Sequence, residues 1–249
     1  MNDEQLLRYS RQIMLSQVDA TGQQQLLDAT VLVVGAGGLG CPAAMYLAAA
    51  GVGRLLIADD DAVDLSNLQR QIAHGSNDIG KLKTTSLQAS IAALNSDCQV
   101  ETISQRLSAD NLQQVVQQVD IVLDCTDNFA TRFAINAACV AQGKPLVIGA
   151  AIRFEGQVMV YHPGVAGSPC YQCLYPAEGE IEETCSANGV IAPLVGVIGS
   201  MQALEAIKCL TGAGELLTHR LLMLDGLQMR WREMKTQLDP NCPACQKKA

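Results

Sequence analysis

Apolar and polar positions along this chain switch repeatedly between two periods. TVLVV, residues 30–34, is an unbroken β-branched and apolar run that reads as a buried strand. Residues 38–50, rich in Ala and Leu, read as a helix, and residues 55–58 as a second buried strand. The alternation continues with helical spacing over 81–94, a strand at 100–103 and a helix at 110–118. A buried strand at 121–123 ends in DCTDN, and a helix at 131–141 leads to a strand at 146–148. Strands alternating with helices in this way predict βαβ units and a parallel sheet. Ahead of them, Asn2 with Gln5 three positions on has the form of a helix cap. A helix is expected from there to about residue 15, with Arg8 and Arg11 near one face.

Around Gly156 the pattern changes. Residues 157–161 alternate like an antiparallel strand, and a region rich in Pro and Gly follows, with acidic residues 178–183 inside it. Residues 196–210 return to a helix and 221–224 to a strand, before NCPAC and a short basic tail. No repeat, low-complexity tract or linker divides the chain. The expectation is one α/β domain over residues 1–249: a Rossmann-like, mainly parallel sheet with helices on both faces, about residues 20–155. Antiparallel strands and a cysteine-clamped C-terminal part, about residues 156–249, extend it.

With 49% hydrophobic and 17% charged residues among 249, the chain has enough apolar material for a sizeable core. A formal charge of −8 argues against a phosphate-backbone or anionic-lipid surface, so neither nucleic acid nor membrane is an expected partner. The polar start MNDEQLLRYSRQIML is unlike a secretory signal. The apolar run 189–204 contains Pro193 and is short for a membrane span, so it reads as buried loop and helix. A soluble cytoplasmic protein follows, and its ten cysteines need a reason other than a secreted disulfide framework.

VLVVGAGGLG holds the pattern G-x-G-x-x-G as Gly35, Gly37 and Gly40, with Gly38 in addition. Lying between a strand and a helix, it predicts a tight turn at Gly35, phosphate approach at Gly37 and close helix packing at Gly40. Asp59 falls about twenty residues further on, where such a site places a ribose contact. A nicotinamide site needs one acid there, yet the chain supplies Asp59, Asp60 and Asp61, then Asn67 and Arg70. Arg70 suits bidentate phosphate binding, and Lys83, one helix later, adds a second cation. Asp127 in LDCTDN follows a strand that opens on the same crevice, and a carboxylate beside a polyphosphate suits Mg²⁺. Taken together they read as an ATP site.

Cys170-Tyr-Gln-Cys173 and Cys242-Pro-Ala-Cys245 are two C-x-x-C knuckles, each able to give two thiolates to one tetrahedral structural zinc. Cys98, Cys125, Cys139 and Cys209 sit in apolar company and read as core, and Cys41, at a helix start beside the glycine turn, reads as packing. Cys185 lies in the polar segment EIEETCSANGV, where nearby glutamates would raise its pKa and disfavour reactivity. The histidines, His74, His162 and His219, belong to no recognised motif.

RYSRQ, VGAGGLG, DDDAVDLSNLQRQ, DCTDN, GAAIRFEGQ, CYQCL, GVIAPLVGVIGSMQALEAIK and the terminal CPAC occur in one order over essentially the whole chain. Through them the chain resembles the MoeB/ThiF/HesA family, bacterial relatives of ubiquitin-activating enzymes. The resemblance implies an adenylyltransferase. ATP would adenylate the C-terminal glycine of a small ubiquitin-like sulfur-carrier protein with a Gly-Gly end, pyrophosphate would leave, and the acyl-adenylate would later accept sulfur. It further implies a nucleotide site at Gly35, Gly37, Gly38, Gly40, Asp59, Asp61, Ser66, Asn67, Leu68, Gln69, Arg70, Lys83, Asp127 and Asn128. Within that site Asp59 would meet the ribose, Asn67, Arg70 and Lys83 the triphosphate, and Asp127 the magnesium. Arg11 would reach the partner subunit's site in a homodimer, the four knuckle cysteines would bind zinc, and Cys185 would match a crossover-loop cysteine. Asp60 and Asp61 also admit a plainer reading, as caps of the strand end.

GAAIRFEGQ and GVIAPLVGVIGS resemble the molybdopterin branch, whereas MNDEQLLRYSRQIML and ADDDAV resemble the thiamin branch. The molybdopterin branch is favoured. The chain stops after CPAC with no room for a rhodanese-like extension, so the sulfur donor, a sulfurtransferase or cysteine desulfurase, is expected to be a separate protein. An NAD(P)-dependent oxidoreductase would leave Arg70, Lys83 and the knuckles without work. A non-enzymatic nucleotide-binding scaffold would bind ATP without releasing pyrophosphate.

Overall fold

The structure is a computed structural model that describes residues 1–175 and 188–246. Its frame is an eight-stranded sheet. The strands in chain order are β1 (Thr30–Val34), β2 (Arg54–Ala58), β3 (Gln99–Ile103), β4 (Ile121–Asp124), β5 (Leu146–Ile152), β6 (Glu155–Tyr161), β7 (Arg220–Asp225) and β8 (Arg230–Lys235). They lie in the order β3-β2-β1-β4-β5-β6-β7-β8. The pairings from β3 to β5 are parallel, and those from β5 to β8 antiparallel. This is the mainly parallel α/β sheet with an antiparallel extension that the sequence predicts.

The period of two along the central strands builds both faces. Val31 and Val33 of β1 enter one core, with Leu55 and Ile57 of β2 and Ile121 and Leu123 of β4. Leu32, Val34, Leu56 and Val122 enter the other. Because both faces are covered, these strands read as continuous apolar runs rather than alternating ones. The first face is covered by α4 (Gly40–Ala50), α5 (Lys83–Leu94) and α9 (Ala192–Thr211), with α3 (Asp19–Asp28) beside α9. The second carries α6 (Ala109–Gln117), α7 (Phe129–Gln142) and the short α8 (Tyr171–Leu174). Helix α9 is long and apolar enough to cross a membrane, yet Leu194, Val195, Ile198, Ala203 and Ala206 are buried in the first core and it packs on α4 and β5. Cys41, Cys98, Cys125 and Cys139 are buried and Cys209 partly so.

Several elements differ from expectation. The N-terminal helix is two pieces, α1 (Asp3–Arg8) and α2 (Ser10–Ile13), because Tyr9 leaves helical geometry. Tyr9 is buried, with its hydroxyl accepting from Asn95 Nδ2 at 2.9 Å, and that anchor sets the break. The Asn2 capping box itself is formed. Helix α3 has no clear apolar stripe in the sequence; it is held partly by buried Gln23, whose Nε2 donates to Ala50 O at 3.0 Å. Helix α9 starts four residues earlier than expected, with Pro193 in its first turn, where its missing N–H costs nothing. Strand β8, RWREMK, was not expected: all its residues are exposed, so no hydrophobic pattern marks it.

Candidate active site

The strand order reverses between β1 and β4, and ligands of open α/β sheets bind beyond the carboxyl ends of strands at such a point. A cavity of about 810 Å³ opens there, a size suited to a small-molecule ligand or cofactor. The turn after β1 forms its floor. Gly35 takes φ +99°, and a Cβ on it would lie 2.7 Å from Cys125 O at the end of β4. A Cβ on Gly40 would lie 1.7 Å from Gly35 O, so the helix can start over its own turn only with glycine there. Gly37 and Gly38 line the cavity.

Beside this turn two of the three aspartates make bonds that order the site. Asp59, after β2, accepts from Ala36 N at 2.7 Å through Oδ2 and from Asp61 N at 2.9 Å through Oδ1. Burial raises its pKa, opposed by the Lys83 ammonium and these two N–H donors. Asp61 Oδ2 holds Lys83 Nζ at 2.7 Å, and Asp61 O accepts from Lys83 N at 3.0 Å. The Lys83 side chain is 8% exposed, so an exposed carboxylate fixes a buried cation at the cavity wall. Asp60 lines the cavity with them.

Asn67 and Arg70 also line the cavity, whereas Ser66, Leu68 and Gln69 lie outside its wall. Asn67 Oδ1 accepts from Asp64 N at 3.1 Å and Ser66 Oγ donates to Asp64 Oδ1 at 2.6 Å, closing a capped 3-10 turn. Arg70 Nη1 donates to Ser66 O at 3.0 Å, which braces the guanidinium against the same turn. After β4, Asp127 is exposed and faces the cavity. Asn128 lines it too, although its Oδ1 already caps α7 by accepting from Thr131 N at 2.9 Å. Arg11 is exposed on α2 and lies outside the cavity of its own chain. Cys185 falls outside the described residues.

Several groups at the site carry no signal in the sequence. Arg132 of α7 is buried, donates through Nη2 to Thr126 O and lines the cavity. Nothing short of the fold brings it under the β4 turn. The far end of the cavity is a compartment of another character, walled by Gln157, Tyr171, Tyr175, Asp225 and Arg232. Tyr171 and Tyr175 stack at 4.7 Å, and the Tyr175 hydroxyl donates to Gln157 Oε1 at 3.0 Å. His74, assigned to no motif by sequence, is buried beneath the glycine turn. Its Nε2 lies 3.0 Å from Ala36 O and its Nδ1 2.8 Å from Ser86 Oγ.

The two knuckles meet. Sulfur separations are 3.6 Å for Cys170–Cys242, 3.5 Å for Cys173–Cys245 and 3.9 Å for Cys170–Cys173. Four thiolates about 2.3 Å from one tetrahedral zinc would stand about 3.8 Å apart, so the set fits that ion, whereas disulfide sulfurs would be near 2.05 Å. Asn136, fully buried, donates to Cys170 Sγ at 3.5 Å and accepts from Tyr171 N at 2.8 Å, an outer-sphere brace on the first knuckle.

The chain is 49% identical over 245 residues to the "Sulfur carrier protein ThiS adenylyltransferase" of Escherichia coli (strain K12), covering 98% of this chain and 97% of that protein. It is 46% identical to the "Molybdopterin-synthase adenylyltransferase" of the same organism, covering 98% of each. The "Adenylyltransferase and sulfurtransferase MOCS3" of Anopheles gambiae matches at 46% over 98% of this chain, which spans 55% of that protein. Among solved structures, E. coli MccB with MccA-N7isoASN superposes with a TM-score of 0.86, covering 99% of this chain and 76% of that one. At 23% identity that likeness concerns the fold alone. The ThiF family profile matches residues 9–244, and the chain belongs to the ThiF family.

Proposed function

We propose that this protein is an adenylyltransferase that uses ATP to activate the C-terminal glycine of a small ubiquitin-like sulfur-carrier protein, releasing pyrophosphate. The observation that carries this is the two-ended cavity: an anion cradle with Asp59, Arg70 and Lys83 at one end, continuous with an aromatic and polar compartment at the other. The named activity of the two full-length E. coli relatives supports the same reading.

The chemistry needs little beyond positioning. A carboxylate is already a nucleophile, so attack on the α-phosphorus requires alignment and neutralised charge rather than a general base. Asp59 keeps acceptor capacity for a ribose hydroxyl beyond its two backbone donors. Lys83, held by Asp61, and Arg70, braced on Ser66 O, face the polyphosphate with the Gly37 and Gly38 backbone. Asp127 would hold Mg²⁺, which supplies further positive charge to phosphate oxygens. Asn67 and Asn128 complete the wall, and Arg11 would serve the partner subunit's site in a homodimer. The carrier's extended tail enters between Tyr175, Gln157 and Arg232. The four-cysteine set holds a structural zinc that clamps the C-terminal segment beside α8. A sulfur donor then acts on the acyl-adenylate, and the site of action is the cytoplasm.

Two carriers compete. Residues GAAIRFEGQ and GVIAPLVGVIGS favour the molybdopterin synthase small subunit, in molybdenum cofactor biosynthesis. The 49% identity to a ThiS adenylyltransferase favours the thiamin carrier as the second reading. ATP–pyrophosphate exchange with purified protein, Mg²⁺ and each carrier in parallel tests both. Exchange only with a carrier bearing an intact Gly-Gly end supports the reading, and the faster carrier names the pathway. ATP binding with no exchange for either carrier leaves a nucleotide-binding scaffold.

A further inference from the structure

His74 lies outside the residues that would touch the nucleotide, yet its hydrogen bonds converge on the turn that would hold the phosphates. Ala36 O is only an acceptor, so the His74 nitrogen 3.0 Å from it, Nε2, carries the proton. Nδ1 then accepts from the Ser86 hydroxyl at 2.8 Å, which fixes the tautomer. Burial lowers the His74 pKa and keeps the ring neutral. Cys41 Sγ donates to the same carbonyl at 3.4 Å, and burial pushes its thiol up to about 12, so it remains a donor.

The bonded carbonyl belongs to the Ala36–Gly37 peptide, which is trans. In a trans peptide the C=O and N–H point in opposite directions. Gripping Ala36 O from beneath therefore turns Gly37 N–H away from His74. Gly37 lines the cavity, and its N–H has no hydrogen bond among the described residues. On its other side Ala36 is held by its own N–H to Asp59. Asp59 is tied to Asp61, and Asp61 to Lys83 at the start of α5. Ser86 stands one turn along that helix and returns the chain of bonds to His74. A single ring of contacts thus sets both the glycine-turn peptide and the helix that carries the lysine.

We infer that His74 is a positioning residue that pre-orients the Gly37 N–H, and with it the phosphate cradle, relative to Lys83. This rests on the ATP-using reading above. It separates two kinds of contact: losing the His74 donor weakens recognition of phosphate and leaves recognition of the nucleoside intact.

The test titrates ATP and adenosine into wild type, His74→Phe, His74→Gln and Ser86→Ala, each checked for native folding by its thermal transition. His74→Phe should weaken ATP about tenfold, the worth of one lost hydrogen bond, and adenosine less than about twofold. In His74→Gln the amide nitrogen sits at the same distance along the side chain and should hold ATP affinity within about threefold of wild type. Ser86→Ala, which frees the tautomer, should fall between, and it carries the comparison with His74→Gln if the Phe variant does not fold. Equal ATP affinity in wild type, Phe and Ala variants would overturn the inference. So would parallel losses for ATP and adenosine, or a Gln variant no better than Phe. Wild type that binds ATP but supports no pyrophosphate exchange would instead sink the adenylation reading and leave this inference standing.

Discussion

Breaking the cysteine clamp should have a large and calculable effect. Cys173 and Cys245 meet at 3.5 Å although 72 positions separate them in the chain. A cross-link closing a loop of that length removes about 15 cal/mol/K of denatured-state entropy in the chain-entropy model, or about 4 kcal/mol at 25 °C. That figure is an upper value, because burial of Cys170 and Cys242 and the Asn136 brace already favour the docked tail. For a chain of this size about 1 kcal/mol corresponds to about 2–4 °C, so metal removal should lower Tm by about 10 °C. The assay is thermal unfolding in reducing buffer with and without a zinc chelator, alongside metal analysis of wild type and Cys242→Ser. One zinc per chain in wild type, none in the variant, and matching falls in Tm are expected. The same loss should loosen α8, whose Tyr171 and neighbouring Tyr175 wall the far compartment, so KM for the carrier should rise while KM for ATP holds. Metal-free wild type, or a Tm indifferent to chelation, would refute the clamp.

Arg70→Ala should cut pyrophosphate exchange at least about a hundredfold while weakening ATP binding only about tenfold; retained exchange would remove Arg70 from the site. Asp61→Asn leaves Lys83 buried without its carboxylate, and the KM for ATP should rise about tenfold. An unchanged KM would mean that the 2.7 Å ion pair does not position Lys83. Gly40→Ala forces a Cβ to 1.7 Å from Gly35 O, and relieving that overlap should cost about 2–4 kcal/mol of stability, read from urea unfolding, or disrupt ATP binding; a variant with wild-type stability and affinity would refute the close-approach reading. Asp78 is held down at about 2 from an ordinary 3.8, chiefly by the Lys81 side chain and then by Gly75 N–H. Its contribution should be complete above the ordinary value and vanish as pH falls through about 2. A carboxyl titration by NMR centred near the ordinary value would contradict this.

What the sequence made legible depended on whether a residue acts through local chain geometry. Strands β1, β2 and β4 stood out because burial on both faces leaves an unbroken apolar run, and Gly35 because the chain must turn at φ +99° beside Asp59. The knuckle cysteines stood out because each pair is local, although their meeting is not. Strand β8 stayed silent: an edge strand with every side chain exposed has no reason to alternate. Arg132, Tyr171 and Arg232 come from three separate elements and meet only across the crevice, so no spacing links them. His74 was silent for a different reason. Its partners are a backbone carbonyl and a serine hydroxyl, which nearly any sequence could offer.

The three consecutive aspartates turn on the same distinction. A single acid suffices to meet a ribose, and a triphosphate site should disfavour more negative charge nearby. The fold eases the conflict at two of the three acids by pairing their carboxylates with donors of its own. Both oxygens of Asp59 accept backbone N–H groups, and Asp61 is paired with Lys83. The cost of that pairing is modest, because Asp61 is two-thirds exposed and its charge is screened by solvent, whereas the lysine it steers is almost fully buried. An exposed anion holding a buried cation at the cavity wall leaves the ammonium oriented, with donor capacity beyond the one hydrogen given to Asp61. That arrangement makes the Asp61→Asn result more than a loss of charge: the net positive charge near the phosphates rises in the variant, yet ATP should bind less well. Electrostatics alone predicts the opposite sign, so the direction of the change separates positioning from simple attraction.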